Sequence, residues 1–486
     1  MPKIPLLSAL LIALVGVVGC EKRQEQPPAP ASVAASVTLH VTVAEDAALA
    51  AAIERLRGEW TELSGGELEV RVMPADEVLA DSYLRDEERP KADLLVFPSR
   101  WLGELCEADR LRPIRESVLS SEQLAFDDFF PLVREREIVY GDRVMALPLG
   151  CPTPLFAFQP RGDGPADPPL WSDLPESSAC RVLGEVDEQR QWAYLFLARA
   201  ATYGSQSTRD ELLFDSKTMA PRLSEPPFLR AMQEMQHGVF KHEASTAPIA
   251  GNRVTVAGVL LGLGRRETVM WPIRSEDRVT SSEATGETAA ERQRFEAAAE
   301  TLRVAPLPGS AEIYSSLSSA WESVDGSPQQ VTLLATSGQL LGVTTTTRNA
   351  ASAFRLATWL ASKQNGRQIS MASGSVANPR RSLARLADDW SGVGSQRLGK
   401  QFAQAHAQSL QAKRAFTIPR LVRIDDYLTA LGDAVRQVGS GDISPEQALQ
   451  NLIAEWEQLT DTVGRQEQLR AYRRHLGIEK YEPAKR

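Results

Sequence analysis

The stretch 91–113, KADLLVFPSRWLGELCEADRLRP, constrains the fold more than any other part of the chain. Asp93 opens a run of four apolar residues, Leu94-Leu95-Val96-Phe97, which has strand length rather than helix length. A run that is apolar at every position reads as a strand covered on both faces. Pro98-Ser99 ends it, and Trp101, Leu102, Leu105 and Leu111 mark a helical pattern beyond. Strand, short loop and helix in that order belong to a parallel α/β sheet, where ligands gather beyond the carboxyl ends of the strands. The loop 98–101 lies at that end.

The preceding residues repeat the unit. In 37–43, Val37, Leu39, Val41 and Val43 alternate with Thr38, His40 and Thr42, the pattern of a half-buried strand. Leu49, Ile53, Leu56, Trp60 and Leu63 then form one stripe with spacings of four, three, four and three, which predicts a single amphipathic helix stopped by Gly65-Gly66. Leu68, Val70 and Val72 make a second strand and 76–84 a second helix. The opening is therefore β-α-β-α-β, the start of a doubly wound α/β fold. Gly141-Asp142, between 137–140 and 143–147, predicts a hairpin. Further on, 155–158, 180–186, 269–272, 302–308 and 340–343 read as strands. The segments 191–203, 228–240, 254–263 and 350–362 read as helices. Leu421, Ile424, Leu428, Leu431, Val435 and Val438 trace one more helical stripe. Ser444-Pro445-Glu446-Gln447 opens a final helix with a capping serine and a first-turn proline.

A chain of 486 residues exceeds one small core, so more than one domain is expected. A net charge of −9 argues against a nucleic-acid partner, which needs a basic face. The five histidines and four cysteines are scattered; His237 and His242, five apart, diverge on a helix, and no metal site is expected. At the start, Lys3 precedes an uncharged segment, 4–18, too short for a membrane span of about 20 residues and suited to the core of a secretory signal. Val17-Val18-Gly19-Cys20 resembles the lipobox of bacterial lipoproteins. By that resemblance Cys20 becomes the first mature residue and carries acyl chains that hold the protein to a membrane. An uncleaved anchor helix, or an ordinary signal with an incidental Cys20, is the other reading. The segment 21–36 is a polar, Pro/Ala-rich tether. Cys106, Cys151 and Cys180 are an odd number, leaving either one internal disulfide or three free thiols.

Four segments, in this order, resemble the family 1 extracellular solute-binding proteins of bacterial ABC importers, the maltose-binding-protein-like family. They are 93–113, with Asp109-Arg110 where a glycine is usual; YGDRVMALPLG at 140–150, with Met145 where an aromatic is common; ETVMWP at 267–272; and GSGDISPEQALQNLIAEWEQL at 439–459. The resemblance implies a periplasmic-binding-protein-like α/β fold of two doubly wound lobes joined by a hinge, with C-terminal helices. It implies a signal peptide at 1–19, a lipid-anchored linker at 20–36, a first lobe at 37–149 with a return near 305–343, a second lobe at 150–304, and a helical part at 344–486 completing both. It also implies a monomer without cofactor, exported and facing the periplasm or cell exterior. Such a protein captures a small solute, most commonly a sugar, and delivers it to the transmembrane subunits of an ABC permease. A lipid-anchored sensor of the same fold is the alternative. An enzyme such as a polysaccharide hydrolase is disfavoured: Asp127-Asp128 and Asp425-Asp426 point about 100° apart on a helix and read as solvated charges, and no Gly-x-Ser-x-Gly elbow exists.

A binding cleft needs a few placed polar groups and apolar walls, and no catalytic residue. Glu45 and Asp46 follow the first strand, and Ser99 and Arg100 the third; each is either a cleft residue or a cap and solvated charge. Trp101, just past the third strand, and Trp271, ending the 269–272 strand, are open to ligand stacking or to packing. Tyr314 and Trp321, in the serine-rich AEIYSSLSSAWES, either line the cleft or cap a surface loop. Arg380, in GSVANPRR with Asn378, resembles the family's late P-x-R loop, which implies ligand approach or hinge support. Trp60, Trp192, Trp359 and Trp456 lie in apolar stripes and read as core, and Trp171 as a turn anchor.

Overall fold

Alternation of β-branched and polar residues makes β1 (Thr38–Ala44) the strand on which the first sheet is built. It pairs in parallel with β2 (Glu67–Met73) on one side and β3 (Leu94–Pro98) on the other. The computed structural model describes residues 37–80, 92–158, 170–173, 189–204, 212–238, 258–260, 303–336, 338–373, 377–384 and 396–482. Cys20, Cys180, Trp271 and the expected strands 180–186 and 269–272 lie outside them.

The single helix expected over 49–63 is two, α1 (Ala47–Glu54) and α2 (Arg57–Ser64). The break near Arg55 keeps Leu49, Ile53, Leu56 and Trp60 buried but turns Leu63 outward, half exposed. Then follow α3 (Ala75–Leu79), α4 (Leu102–Glu107), β4 (Leu111–Arg112) and α5 (Glu116–Leu119). The hairpin β5 (Val139–Tyr140) and β6 (Arg143–Val144) turns at Gly141 and Asp142, both at positive φ (54° and 75°). Two left-handed residues in succession match the right-handed twist of the flanking strands. β7 (Leu147–Gly150) closes this part of the chain.

The first sheet has the order β2-β1-β3-β14-β4, with β7 also on β14 (Gln339–Thr344). Only β2-β1-β3 is parallel; β14 returns late in the chain and runs antiparallel to β3, β4 and β7. A second sheet joins β8 (Leu155–Phe158), β9 (Gly258–Leu260) and β10 (Arg303–Pro306), antiparallel throughout. Of the helix expected over 254–263 only 258–260 are described, and these form β9. Glycine weakens a helix interior, and pairing with Leu155–Ala157 decides the conformation. The helices α6 (Gln189–Tyr203) and α7 (Pro226–Gly238) precede β9 and β10 in the chain. Between β10 and β14 lie the hairpin β11 (Glu312–Ser315) and β12 (Ala320–Ser323), then β13 (Thr332–Leu334), which pairs in parallel with β15 (Ala415–Thr417). The remaining helices are α8 (Ala350–Leu360), α9 (Lys363–Ser373), α10 (Gln396–Leu410), α11 (Ile424–Ser440), α12 (Pro445–Val463) and α13 (Arg465–His475). Ser444 caps α12 by accepting the Gln447 N–H at 3.2 Å.

Two cores result. On one face of the first sheet, Leu39, Val41, Val43, Leu94, Val96, Leu341 and Val343 pack under α1, α2 and α8, with the Trp60 and Trp359 rings 5.4 Å apart. On the other, Leu95 and Phe97 continue through Trp101, Leu102 and Leu105 into α6, α7, α11 and α12. Each such side chain, fully buried, contributes about 1.5–3 kcal/mol. The chain passes from the first sheet to the second through 151–154, and back through 307–338. Cys151 sits in the first passage: its N–H donates to the Ala377 carbonyl and its own carbonyl meets His406 Nε2, each at 2.9 Å. Cys106 and Cys151 are buried free thiols, and burial raises both well above the usual thiol range.

Candidate ligand-binding site

β1 and β3 are parallel neighbours, so their carboxyl ends open on the same edge of the sheet. After β1, Glu45 takes a left-handed conformation (φ 60°) and its side chain is exposed. Asp46 caps α1, accepting the Leu49 N–H at 2.8 Å, which accounts for its position. After β3, the loop 98–101 is buried along its whole length. It is covered by the N-terminal turns of α6 and α11.

Asp425 is the centre of that cover. Its Oδ1 accepts from Arg100 Nε at 2.5 Å, and its Oδ2 from Trp101 Nε1 at 2.8 Å, Arg190 Nη1 at 3.1 Å and Arg100 Nη2 at 3.2 Å. Burial alone would raise the Asp425 pKa. The charge and hydrogen bonds of Arg100, the charge of Arg190 and the Trp101 N–H outweigh it and hold the carboxyl at about 2. Burial likewise opposes the Arg100 charge, but Asp425, Tyr194 and Glu45 more than offset it, so the guanidinium stays charged. Tyr194, one turn along α6 from Arg190, donates its hydroxyl to the Thr336 carbonyl at 3.1 Å. Below the loop, Ser99 donates its N–H to Gly338 O at 2.7 Å. Ser99 Oγ and Glu137 Oε1 are buried there without a hydrogen-bond partner among the described residues. Glu137 Oε2 accepts the Ala335 N–H at 3.0 Å.

Of the residues singled out from sequence, the structure brings Glu45, Ser99, Arg100 and Trp101 to one edge. Trp101 is fully buried, with its indole N–H on Asp425, so its ring packs in the core and presents no face there. Tyr314 and Trp321 sit elsewhere. They are cross-strand partners in the β11–β12 hairpin, rings 5.7 Å apart. Trp321 meets Tyr203 edge-on at 5.9 Å, with the Arg230 guanidinium 4.6 Å above its ring. Tyr203 and Arg190 lie thirteen residues apart on α6, about 20 Å along the axis. The two groups therefore occupy opposite ends of one helix. Arg380 is 1 % exposed; it donates to the carbonyls of Leu124 (2.7 Å), Ala361 (2.6 Å) and Ala125 (3.2 Å), a supporting role.

Sequence reasoning missed Arg190, Tyr194 and Asp425. Asp425 was expected to be a solvated charge beside Asp426. Within α11 it lies three residues before the buried Leu428, so the helical period puts it beside the covered face. Asp426 pairs with Arg423 at 2.5 Å, Asp127 with Arg134 at 2.7 Å, and Asp128 accepts from Ser382 N and Oγ at 3.0 and 2.6 Å. Among the described residues no His, Cys, Asp and Glu cluster could hold a metal ion, and no helix is long and apolar enough to cross a membrane.

Two sheets, a chain that passes between them, and a polar junction at the carboxyl ends of β1 and β3 belong to a mixed α/β fold, which the solved structures below identify as periplasmic-binding-protein-like. No protein-family model and no curated protein sequence matches the chain. Solved structures do. The sugar-binding protein MalE from the phytopathogen Xanthomonas citri superposes with a TM-score of 0.62 at 14 % identity, over 88 % of this chain and 98 % of that one. An ABC transporter solute-binding protein from Agrobacterium radiobacter K84, in complex with ribitol, gives 0.56 at 16 %, over 87 % and 98 %. A cyclo/maltodextrin-binding protein complexed with maltotetraose gives 0.54 at 18 %, over 89 % and 99 %.

Proposed function

We propose that this chain is an exported solute-binding protein that captures a carbohydrate or polyol between its lobes and delivers it to an ABC-type permease. The observation that carries this reading is the near end-to-end likeness to sugar- and polyol-binding structures, which covers 98–99 % of their chains. The ligand's hydroxyls meet Glu45, Arg190 and Tyr194, with Ser99 and Arg100 behind them; Trp271, outside the described residues, is the candidate for stacking on a sugar ring. Binding is capture rather than chemistry. The solute favours the closed arrangement by its higher affinity for it, and the permease docks on that arrangement. Acylation at Cys20 holds the protein at the membrane, and residues 21–36 give it reach.

Thermal unfolding of the chain from residue 21 onward, with maltotriose, ribitol, amino acids and polyamines added in turn, tests the reading. A true ligand at a hundred times its Kd stabilises by about 2.7 kcal/mol. A response to a carbohydrate or polyol, lost in Arg190→Ala, is expected. A response confined to another class overturns the assignment. In the full-length protein, Cys20→Ser is expected to abolish labelling by palmitate and to release the protein from membranes.

A further inference from the structure

Helix α13 and the residues after it reach both sides of the Arg100–Asp425 junction. Along one face of α13, Gln468, Ala471 and Tyr472 are fully buried. Gln468 Nε2 donates to the Val422 carbonyl at 2.8 Å and its Oε1 accepts the Val422 N–H at 3.2 Å, three residues before Asp425. The Tyr472 ring meets Phe214, in the segment between α6 and α7, edge-on at 5.6 Å. Phe214 in turn stacks on Trp456 of α12 at 5.0 Å. This face of α13 is thus packed with α11, α12 and the segment after α6.

The last turn of α13 and the tail meet the other side. Arg474 Nη1 donates to both oxygens of Glu107, at 2.7 and 2.9 Å, with Arg470, one turn earlier, 3.5 Å away. Glu107 ends α4 and also accepts the Tyr140 hydroxyl at 2.8 Å. Glu107 and Arg474 are 11 % and 14 % exposed, so salt screens the pair little. Gly477 (φ 67°) then stops the helix. The N–H groups of Gly477 and Ile478 return to the carbonyls of Arg474 and Arg473 at 3.0 and 2.9 Å, which turns the chain back. Tyr481 lands on the hairpin: its N–H donates to Gly141 O at 2.9 Å, while the Gly141 N–H donates to Arg474 O at 3.1 Å. The Tyr481 hydroxyl reaches the Cys106 carbonyl at 2.9 Å. A Cβ on Gly141 would lie 2.5 Å from Tyr481 N, so only glycine admits this approach. The two sides also touch directly, since the Arg423 N–H donates to Glu104 Oε2 at 3.1 Å.

We infer that α13 and the tail 476–482 are a strap that keeps the cover over the loop 98–101 shut in the absence of a solute, by tying α4 and the β5–β6 hairpin to α11. Glu107 stands seven residues after Arg100, and Val422 three before Asp425, so strap and ion pair bridge the same two stretches of chain. The strap is independent of which solute binds. Hydrogen–deuterium exchange of the full chain in detergent, with no solute present, tests it. Two variants accompany the parent: Glu107→Gln with Arg474→Met, which removes both charges together, and Tyr481→Ala, which frees the tail. In the parent, the amides of 99–107 and 424–430 are expected to exchange as slowly as those of 38–44 and 67–73. In each variant the first two segments should accelerate at least tenfold and the other two should not. Fast exchange at 99–107 in the parent, unchanged rates in either variant, or equal acceleration of all four segments overturns the strap, the last because the contacts then serve overall stability alone. Failure of every carbohydrate and polyol to bind would refute solute capture and leave these rates as they are, which separates the two readings.

Discussion

Oδ1 of Asp425 lies 2.5 Å from Nε of Arg100, so a residue 325 positions later in the chain closes over the carboxyl end of β3. Both side chains are largely buried, at 27 % and 7 % exposure. Removing one partner of such a pair leaves the other charge uncompensated, at a cost of about 3–5 kcal/mol. Arg100→Ala and Asp425→Asn are each expected to lose about 3 kcal/mol in guanidinium unfolding, the lower end because water reaches Asp425. Arg100→Met with Asp425→Leu should lose clearly less than the two single losses combined. Additive losses would mean that the two side chains do not act as a pair.

Glu104 stands close enough to feel the same carboxylate. Burial, then the like charges of Asp425 and Asp426, raise it to about 7, against the Arg423 N–H and the Arg110 charge that lower it. Between pH 4.5 and 7 the folded protein therefore holds a proton that the unfolded chain has released. Stability falls as pH rises through that window. Glu104→Gln removes the penalty. At pH 8 it should be more stable than the parent by about 1 kcal/mol after discounting for partial exposure, and near parity at pH 4.5. Melting curves at the two pH values decide it; a variant less stable at pH 8 contradicts the assignment. Asp425 acts in the opposite sense, since its contribution is present above pH 3.8 and is lost as pH falls toward 2.

The elements that were legible are those whose signals are local. The apolar run 94–97, the alternation in 38–43, the Gly141-Asp142 turn and the Ser444 cap each specify their conformation within a few residues, and each stands where expected. The break between α1 and α2 contains neither glycine nor proline, so nothing local marks it. β9 is a strand because Leu155–Ala157 pairs with it, a partner about a hundred residues away. The site divides in the same way. That Glu45, Ser99 and Arg100 gather at strand ends follows from a parallel sheet. Which groups face them does not, since Arg190 and Asp425 arrive from distant helices. Trp101 was placed correctly along the chain, but the direction of its ring depends on Asp425.

Two glycines separate close packing from helix propensity. A Cβ on Gly103, in α4, would overlap the Arg420 carbonyl and stand 2.8 Å from Arg420 Cβ. Backbone cannot yield cheaply there, so Gly103→Ala is expected to cost about 1–3 kcal/mol or more. Gly58, in α2, has nothing within 4 Å of the same position. Gly58→Ala should therefore stabilise by about 0.5–1 kcal/mol, by reducing the freedom of the unfolded chain. Urea unfolding of the two variants side by side is the check, and the same sign for both would refute the packing argument.

Arg380 ties its own loop to the segment 124–129 and to the end of α8. Its guanidinium lies 3.9 Å from the centre of the Phe129 ring, reaches the Leu124, Ala125 and Ala361 carbonyls, and stands 3.6 Å from Asp128. Burial pulls its pKa down to about 10, with Asp128 opposing, so it remains charged at neutral pH. A lysine would keep the charge but not the planar fork, and one ammonium cannot replace the guanidinium's spread of donors and its stacking on the ring. Each buried carbonyl left without a donor costs about 1–3 kcal/mol. Arg380→Lys is thus expected to destabilise by about 3 kcal/mol, nearly as much as Arg380→Met. If ligand contact were instead the role of Arg380, the lysine variant would melt like the parent and lose only affinity for the solute. Melting temperature and solute titration, measured on the same preparation, distinguish the two outcomes.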